Sequence, residues 1–219
     1  MPYLHDVFIS YKRETLWTPW ARDHFKRLLN SYLQQELGQE PDIFVDENIK
    51  VGADWVNGLA TNLAMSKVMV AVFSRDYFGS AWCIHELDLM LGRSLAVQNP
   101  RHSDSCLIVP VVVHDGDLIP DKVCRIQPAD FKKFRIACVN ENTPLYQDFS
   151  VAMSVLAPAV KTAIDSAPEY DEKWEVLCKK RFNEIYDSKC NNGVVEPTYF
   201  VAKRPPQLLK PPRMILASP

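Results

Sequence analysis

The stretch SAWCIHEL, residues 80–87, holds the side chains whose types and spacing invite chemistry. Ser80 reads as the N-cap of a helix. Trp82 and Glu86 follow four residues apart and stack on one flank of that helix. A carboxylate one turn from an indole reads in two ways. It is a solvated glutamate beside a packed tryptophan, or it is part of an active site. Cys83 and His85 raise two more possibilities, a thiolate nucleophile and a metal pair. Cys83 shares a helical stripe with Leu87, Met90 and Ser94, which marks it as a core residue, while His85 points elsewhere as a surface residue. No second Cys/His cluster supports a zinc site, so no metal is expected. The six cysteines are scattered without a CxxC pair, as in a cytoplasmic protein with reduced thiols.

The elements that must position this stretch alternate. Short, nearly continuous apolar runs occur at 6–10, 42–45, 67–73 and 106–113, with a weaker one at 135–139. Such runs predict strands buried on both faces. Helical patterns lie between them. Thr18-Pro19 opens the first, and Gly38 closes it. The second spans about 54–66 and the third about 80–97. A last helix covers about 145–165, with Pro158 expected to kink or break it. Residues 114–134 read as irregular. The alternation implies an α/β fold, a flavodoxin-like five-stranded parallel sheet of order 2-1-3-4-5 with helices on both faces. In such sheets ligands bind beyond the carboxyl ends of the strands, where the order reverses. That switch point lies between strands 1 and 3, at loops 10–17 and 74–80. Glu86 stands just past the second loop.

The chain of 219 residues is long enough for one domain with a real core and an appendage. A formal net charge of −2 gives no reason to expect nucleic acid or an anionic membrane as partner. No apolar run approaches a membrane span, and the N-terminus MPYLHDVFISY has no signal-peptide pattern. Residues 1–167 form the expected domain and 168–219 an extension. The extension begins with a mixed-charge helix at about 170–188. From Pro197 it is rich in proline and basic residues and free of acids, so it reads as a flexible tail or as an arm for a partner protein.

Three segments in order resemble a known family. HDVFISYKRE (5–14) resembles the first box of TIR domains, a buried strand entering a polar loop. DENIKVGADW (46–55) resembles the loop after the second strand. FSRDYFGSAWCIHEL (73–87) resembles the third-strand exit and the W-C-x-x-E-L helix start. The likeness covers about residues 4–166. TIR domains divide into scaffolds that assemble signalling complexes and enzymes that cleave the nicotinamide–ribose bond of NAD+. The resemblance is greatest to bacterial NAD-consuming proteins of antiphage defence.

The resemblance implies that Glu86 is catalytic, because the enzymatic members use a glutamate at this place. NAD+ is then substrate and no cofactor is expected. The implied substrate contacts are Ser10, Tyr11, Lys12, Arg13, Asp46, Lys50, Ser74, Tyr77 and Trp82. Arg13 or Lys12 would meet phosphate, and Tyr11 or a neighbouring aromatic would stack on a ring. Trp82 either walls the ribose pocket or packs inward. The loop 46–54 is implied to contact a second copy, so activity would depend on self-association. The alternative is a non-enzymatic scaffold using that same loop.

Overall fold

The computed structural model describes residues 3–13, 15, 17–46, 54–96, 106–114, 119, 123, 126–134 and 140–190. Five parallel strands form one sheet in the order β2-β1-β3-β4-β5. β1 is His5–Ser10, β2 Ile43–Val45, β3 Ser66–Phe73, β4 Ile108–Val112 and β5 Ala129–Asp130. β1 and β3 are neighbours along their length, from His5 opposite Ser66 to Ser10 opposite Ala71. Val7, Phe8 and Ile9 are buried, as are Val68 to Phe73, so the central strands are covered on both faces. Continuous apolar runs are what such strands require.

The fifth strand corrects the sequence reading. Ala129 and Asp130 pair with Val111 and Val112, inside the stretch expected to be irregular. The expected run 135–139 lies outside the described residues. A two-residue strand has no hydrophobic period to betray it.

The helices are α1 (Trp17–Pro19), α2 (Lys26–Leu37), α3 (Trp55–Ala64), α4 (Arg75–Phe78), α5 (Ala81–Ala96), α6 (Pro144–Asp165) and α7 (Glu172–Cys190). They cover the sheet as two groups, α2 packed with α6, and α3 and α5 packed with α7. Between α1 and α2 the chain winds as a π-helix over Trp20–Phe25. Its wider turn brings Trp20 and Phe25, five residues apart, onto the core together, with ring centroids 5.0 Å apart. Gly38 ends α2 at φ 70°, a left-handed conformation that suits glycine.

α6 runs unbroken through Pro158, so of the two expected outcomes the break does not occur. Pro158 is on the exposed side, and the Thr162 hydroxyl donates to its carbonyl at 2.9 Å. Two caps fix the helices that matter most for the site. Asp54 accepts from the Asn57 N–H at 3.1 Å, starting α3 at Trp55. Ser80 accepts from the Cys83 N–H at 3.5 Å at the start of α5.

Candidate active site

β1 ends at Ser10, and α5 begins beside it across the switch point. This geometry carries Glu86 under the end of β1. Glu86 is only 5 % exposed. The Ser10 hydroxyl reaches Glu86 Oε2 at 2.5 Å and the Tyr77 hydroxyl at 2.9 Å. The Tyr77 hydroxyl in turn donates to the Cys83 carbonyl at 3.2 Å. Burial pushes the Glu86 carboxyl up to about 8; the Ser10 hydrogen bond opposes this, the Asp46 charge adds to it, and Arg13 opposes it.

The chain of oxygens has a proton count. When Glu86 is neutral, it donates to Ser10, Ser10 to Tyr77, and Tyr77 to the Cys83 carbonyl. Every contact then carries one hydrogen. When Glu86 is ionised, Ser10 must turn to donate to it. Tyr77 has one hydrogen to share between Ser10 and the carbonyl. The buried row is complete in the neutral form and one hydrogen short in the charged form.

Above the carboxyl is a narrow cleft of about 50 Å³ lined by Tyr11, Lys12, Arg13, Asp46, Trp55, Trp82 and Glu86, among others. Arg13 Nη1 donates to Asp46 Oδ2 at 3.0 Å, and its guanidinium lies over the Trp55 ring at 5.9 Å. Trp55 Nε1 donates to Asp46 Oδ1 at 3.3 Å. Trp55 and Trp82 meet edge to face, with centroids 4.8 Å apart. The cleft thus joins a buried acid, two cationic side chains and two indoles.

The site residues inferred from sequence divide into three groups. Tyr11, Lys12, Arg13, Asp46, Trp82 and Glu86 come together at the cleft. Ser10, Ser74 and Tyr77 do not line it. They are 1 %, 2 % and 0 % exposed, which leaves no surface for a substrate to touch. Ser74 caps α4 by accepting from the Tyr77 N–H at 3.2 Å, while Ser10 and Tyr77 sit beneath the carboxylate. Lys50 lies outside the described residues, as do 47–53 of the loop 46–54. Trp82 lines the cleft and also packs against Phe182, with ring centroids 5.7 Å apart.

Trp55 was missed. Its signal was an aromatic residue directly after the N-cap Asp54, at the first position of a helix that follows a loop. Cys83 is 4 % exposed, its thiol faces the Tyr11 carbonyl at 3.6 Å, and burial drives its pKa far up. A thiol so held is no nucleophile at neutral pH. His85 is half-buried, with Nδ1 on the Ala81 carbonyl at 2.6 Å. Among the described residues, no group of three or more His, Cys, Asp or Glu side chains is placed to hold a metal ion.

A family model for the TIR domain matches residues 7–141, more than half of the chain and the whole of this cleft. The chain belongs to the TIR-domain family. Two plant proteins from Arabidopsis thaliana are similar over most of it. Disease resistance-like protein DSC2 is 26 % identical over 157 residues, 71 % of this chain and 11 % of that protein. Disease resistance protein TAO1 is 29 % identical over 160 residues, 71 % of this chain and 12 % of that protein. This TIR chain therefore spans about a tenth of the length of those relatives. Among solved structures, the TIR domain of the Toll-related receptor TRR-2 of Hydra magnipapillata is 15 % identical at a TM-score of 0.43, covering 68 % of this chain and 98 % of that one. The TIR domains of the activated Roq1 resistosome are 22 % identical at a TM-score of 0.38, covering 83 % of this chain and 99 % of that one. Among the described residues of this TIR protein, no helix is long and apolar enough to cross a membrane.

Proposed function

We propose that this TIR domain cleaves the nicotinamide–ribose bond of NAD+, as a glycohydrolase or cyclase. The observation that carries the reading is Glu86, buried on a hydroxyl support at the floor of a cleft rimmed by Lys12, Arg13 and two indoles. A glutamate on a solvated helix flank needs none of this.

The chemistry asks for little more. As the ribose–nitrogen bond breaks, its electron pair passes to the pyridinium nitrogen and nicotinamide leaves neutral. No general acid is needed at the leaving group, so one carboxylate suffices where ordinary glycosidases use two. The sugar left behind is an oxocarbenium-like cation. Glu86 stabilises it electrostatically from a site that excludes water, and Ser10 keeps the carboxylate aimed. Water, or a nucleophile within the ADP-ribose itself, then takes the ribose carbon. The cationic pyridinium also favours the ionised acid as it binds, drawing the Glu86 pKa down from about 8. Lys12 and Arg13 face the diphosphate, with Arg13 exchanging Asp46 for phosphate.

A cleft of about 50 Å³ is far smaller than an ordinary ligand pocket of roughly 300–1,000 Å³, so the dinucleotide enters only when the Arg13–Asp46–Trp55 rim parts. Asp46 roots the loop 46–54, and self-association through that loop is the proposed means of opening. The proposed setting is immune defence, since the relatives are named for disease resistance, in the antiphage form that the sequence suggests. The alternative is a scaffold without catalysis. It draws on the closed cleft and on the exposed Val151 and Val155, one turn apart on α6.

The two readings separate in one assay. Concentrated protein is incubated with NAD+ beside a Glu86→Ala variant, and nicotinamide is followed. Release by the parent alone supports the enzyme. No release, or equal release from both, leaves the scaffold.

A further inference from the structure

α7 lies beyond the family match at 7–141, yet it reaches the walls of the cleft. Trp55 and Trp82 both stand in the first turn of their helices. A side chain there has no complete preceding turn to pack on, so its rotamer is set by what lies across from it. For Trp55 those partners are Asp46, Arg13 and Trp82 itself. For Trp82 one of them is Phe182 of α7, which is fully buried with its ring 5.7 Å from the indole at a tilt of 35°.

The same helix grips α3. Asn183 Nδ2 donates to Asn57 Oδ1 at 3.0 Å, and the Thr61 hydroxyl donates to Glu175 at 3.3 Å. Asn57 and Thr61 follow Trp55 along α3. α7 therefore spans the two helices that carry the two indoles and holds their spacing.

We infer that α7 is a working part of this site and that Phe182 is a positioning residue, fixing Trp82 as the wall against which the ribose–nicotinamide end of NAD+ is set over Glu86. The substrate named here rests on the NAD+ reading; the positioning of Trp82 does not. Without the phenyl ring, Trp82 gains rotamers that narrow the cleft or leave the sugar unsupported, and fewer binding events place it correctly.

The test uses the full chain with Phe182→Ala, Phe182→Leu and Cys178→Ala. Cys178 is buried on α7 one turn before Phe182 and lies near Arg93. Two readouts are taken on each, nicotinamide release resolved into KM and kcat, and the far-ultraviolet exciton couplet of the Trp55–Trp82 pair. The expected result for Phe182→Ala is a KM raised by about tenfold, a smaller change in kcat and a collapsed couplet. Phe182→Leu, which refills most of the volume, falls between it and the parent. Cys178→Ala lowers the melting temperature and leaves both KM and couplet in place. Should Phe182→Ala fail to fold, Phe182→Leu decides by the same measures. Parental KM and couplet in the Phe182 variants would overturn the inference, as would an equal effect from Cys178→Ala. If the parent itself releases no nicotinamide, the NAD+ reading fails alone, and the couplet still decides whether Phe182 holds Trp82.

Discussion

Helix α5 buries two ionisable groups of opposite sign, seven residues apart, and treats them differently. Arg93 is 3 % exposed. Its Nη1 donates to the Ser66 carbonyl at 2.7 Å and, more weakly, to the Ala64 carbonyl at 3.5 Å, where α3 ends. Nη2 donates to the Tyr3 hydroxyl, and the guanidinium lies over that ring at 5.0 Å. Tyr3 passes the link on to the Pro168 carbonyl at 2.8 Å. Arg93 thus ties the N-terminus, the end of α3 and the approach to α7 together, and it uses neutral acceptors to do so. Burial pulls its pKa down, but a guanidinium remains a cation at neutral pH. Glu86, by contrast, has the Ser10 hydroxyl and the distant pull of Arg13. Arg93 spreads its two Nη atoms over three acceptors from separate elements, while its buried Nε has no hydrogen-bond partner; Glu86 rests on one hydroxyl and faces the cleft. A buried charge shared among several elements ties them together, and a buried carboxyl beside an opening suits the proposed chemistry.

The contrast can be broken most directly at Glu86. Glu86→Gln should lower NAD+ cleavage on the order of 10²- to 10³-fold, as loss of a preorganised electrostatic group does. It should also change the pH dependence of stability. The folded-state pKa of about 8 exceeds the ordinary 4.5, so between those values the folded protein holds more protons than the unfolded chain. Stability then falls as pH rises through that window and levels off above it. Urea titrations from acid to alkaline pH should show the glutamine variant gaining on the parent over this range. A pH-independent difference would mean that Glu86 is not held neutral.

Arg93 should respond in the opposite way. Arg93→Met keeps the bulk and strips the donors, leaving the Ser66 carbonyl and the Tyr3 hydroxyl short of partners. A loss of about 2–3 kcal/mol is expected in chemical denaturation, with kcat/KM unchanged per folded molecule. Activity falling further than the folded fraction would erase the distinction between the two sites.

The smallest effect sharpens the comparison from within. Ser10→Ala removes the one hydrogen bond that lowers the Glu86 pKa. The rise of kcat/KM with pH, which reports the free enzyme and should level off near 8 in the parent, should move to higher pH. At neutral pH the loss should be about tenfold, since one pKa unit is one decade of ionised fraction. An unmoved profile would show that Ser10 does not govern the carboxylate.

Much of this was legible in the sequence, for reasons tied to particular residues. Four strands announced themselves as buried apolar runs, and the order of the sheet followed from their alternation with helices. Glu86 was legible because the switch point and the motif around it coincide. The sequence suggested Ser10 and Tyr77 as substrate contacts, whereas they lie buried beneath the Glu86 carboxyl. Their depth depends on how β1, α4 and α5 converge, and no local pattern encodes that. β5 was illegible because its two residues, alanine and aspartate, owe their conformation to pairing with β4. Phe182 falls in the mixed-charge helix that the sequence places at about 170–188. Its partner, a hundred residues earlier, emerges only when α7 folds back on α5.

The brevity of that last strand has a consequence for how copies of the domain can meet. The two edges of the sheet are β5, with two residues, and β2, with three. Neither offers a row of free amides and carbonyls long enough to template a neighbour's strand, so the sheet is blunted against edge-to-edge aggregation. The self-association proposed above would therefore fall to helix faces and loops, which can associate and separate without continuing the ladder.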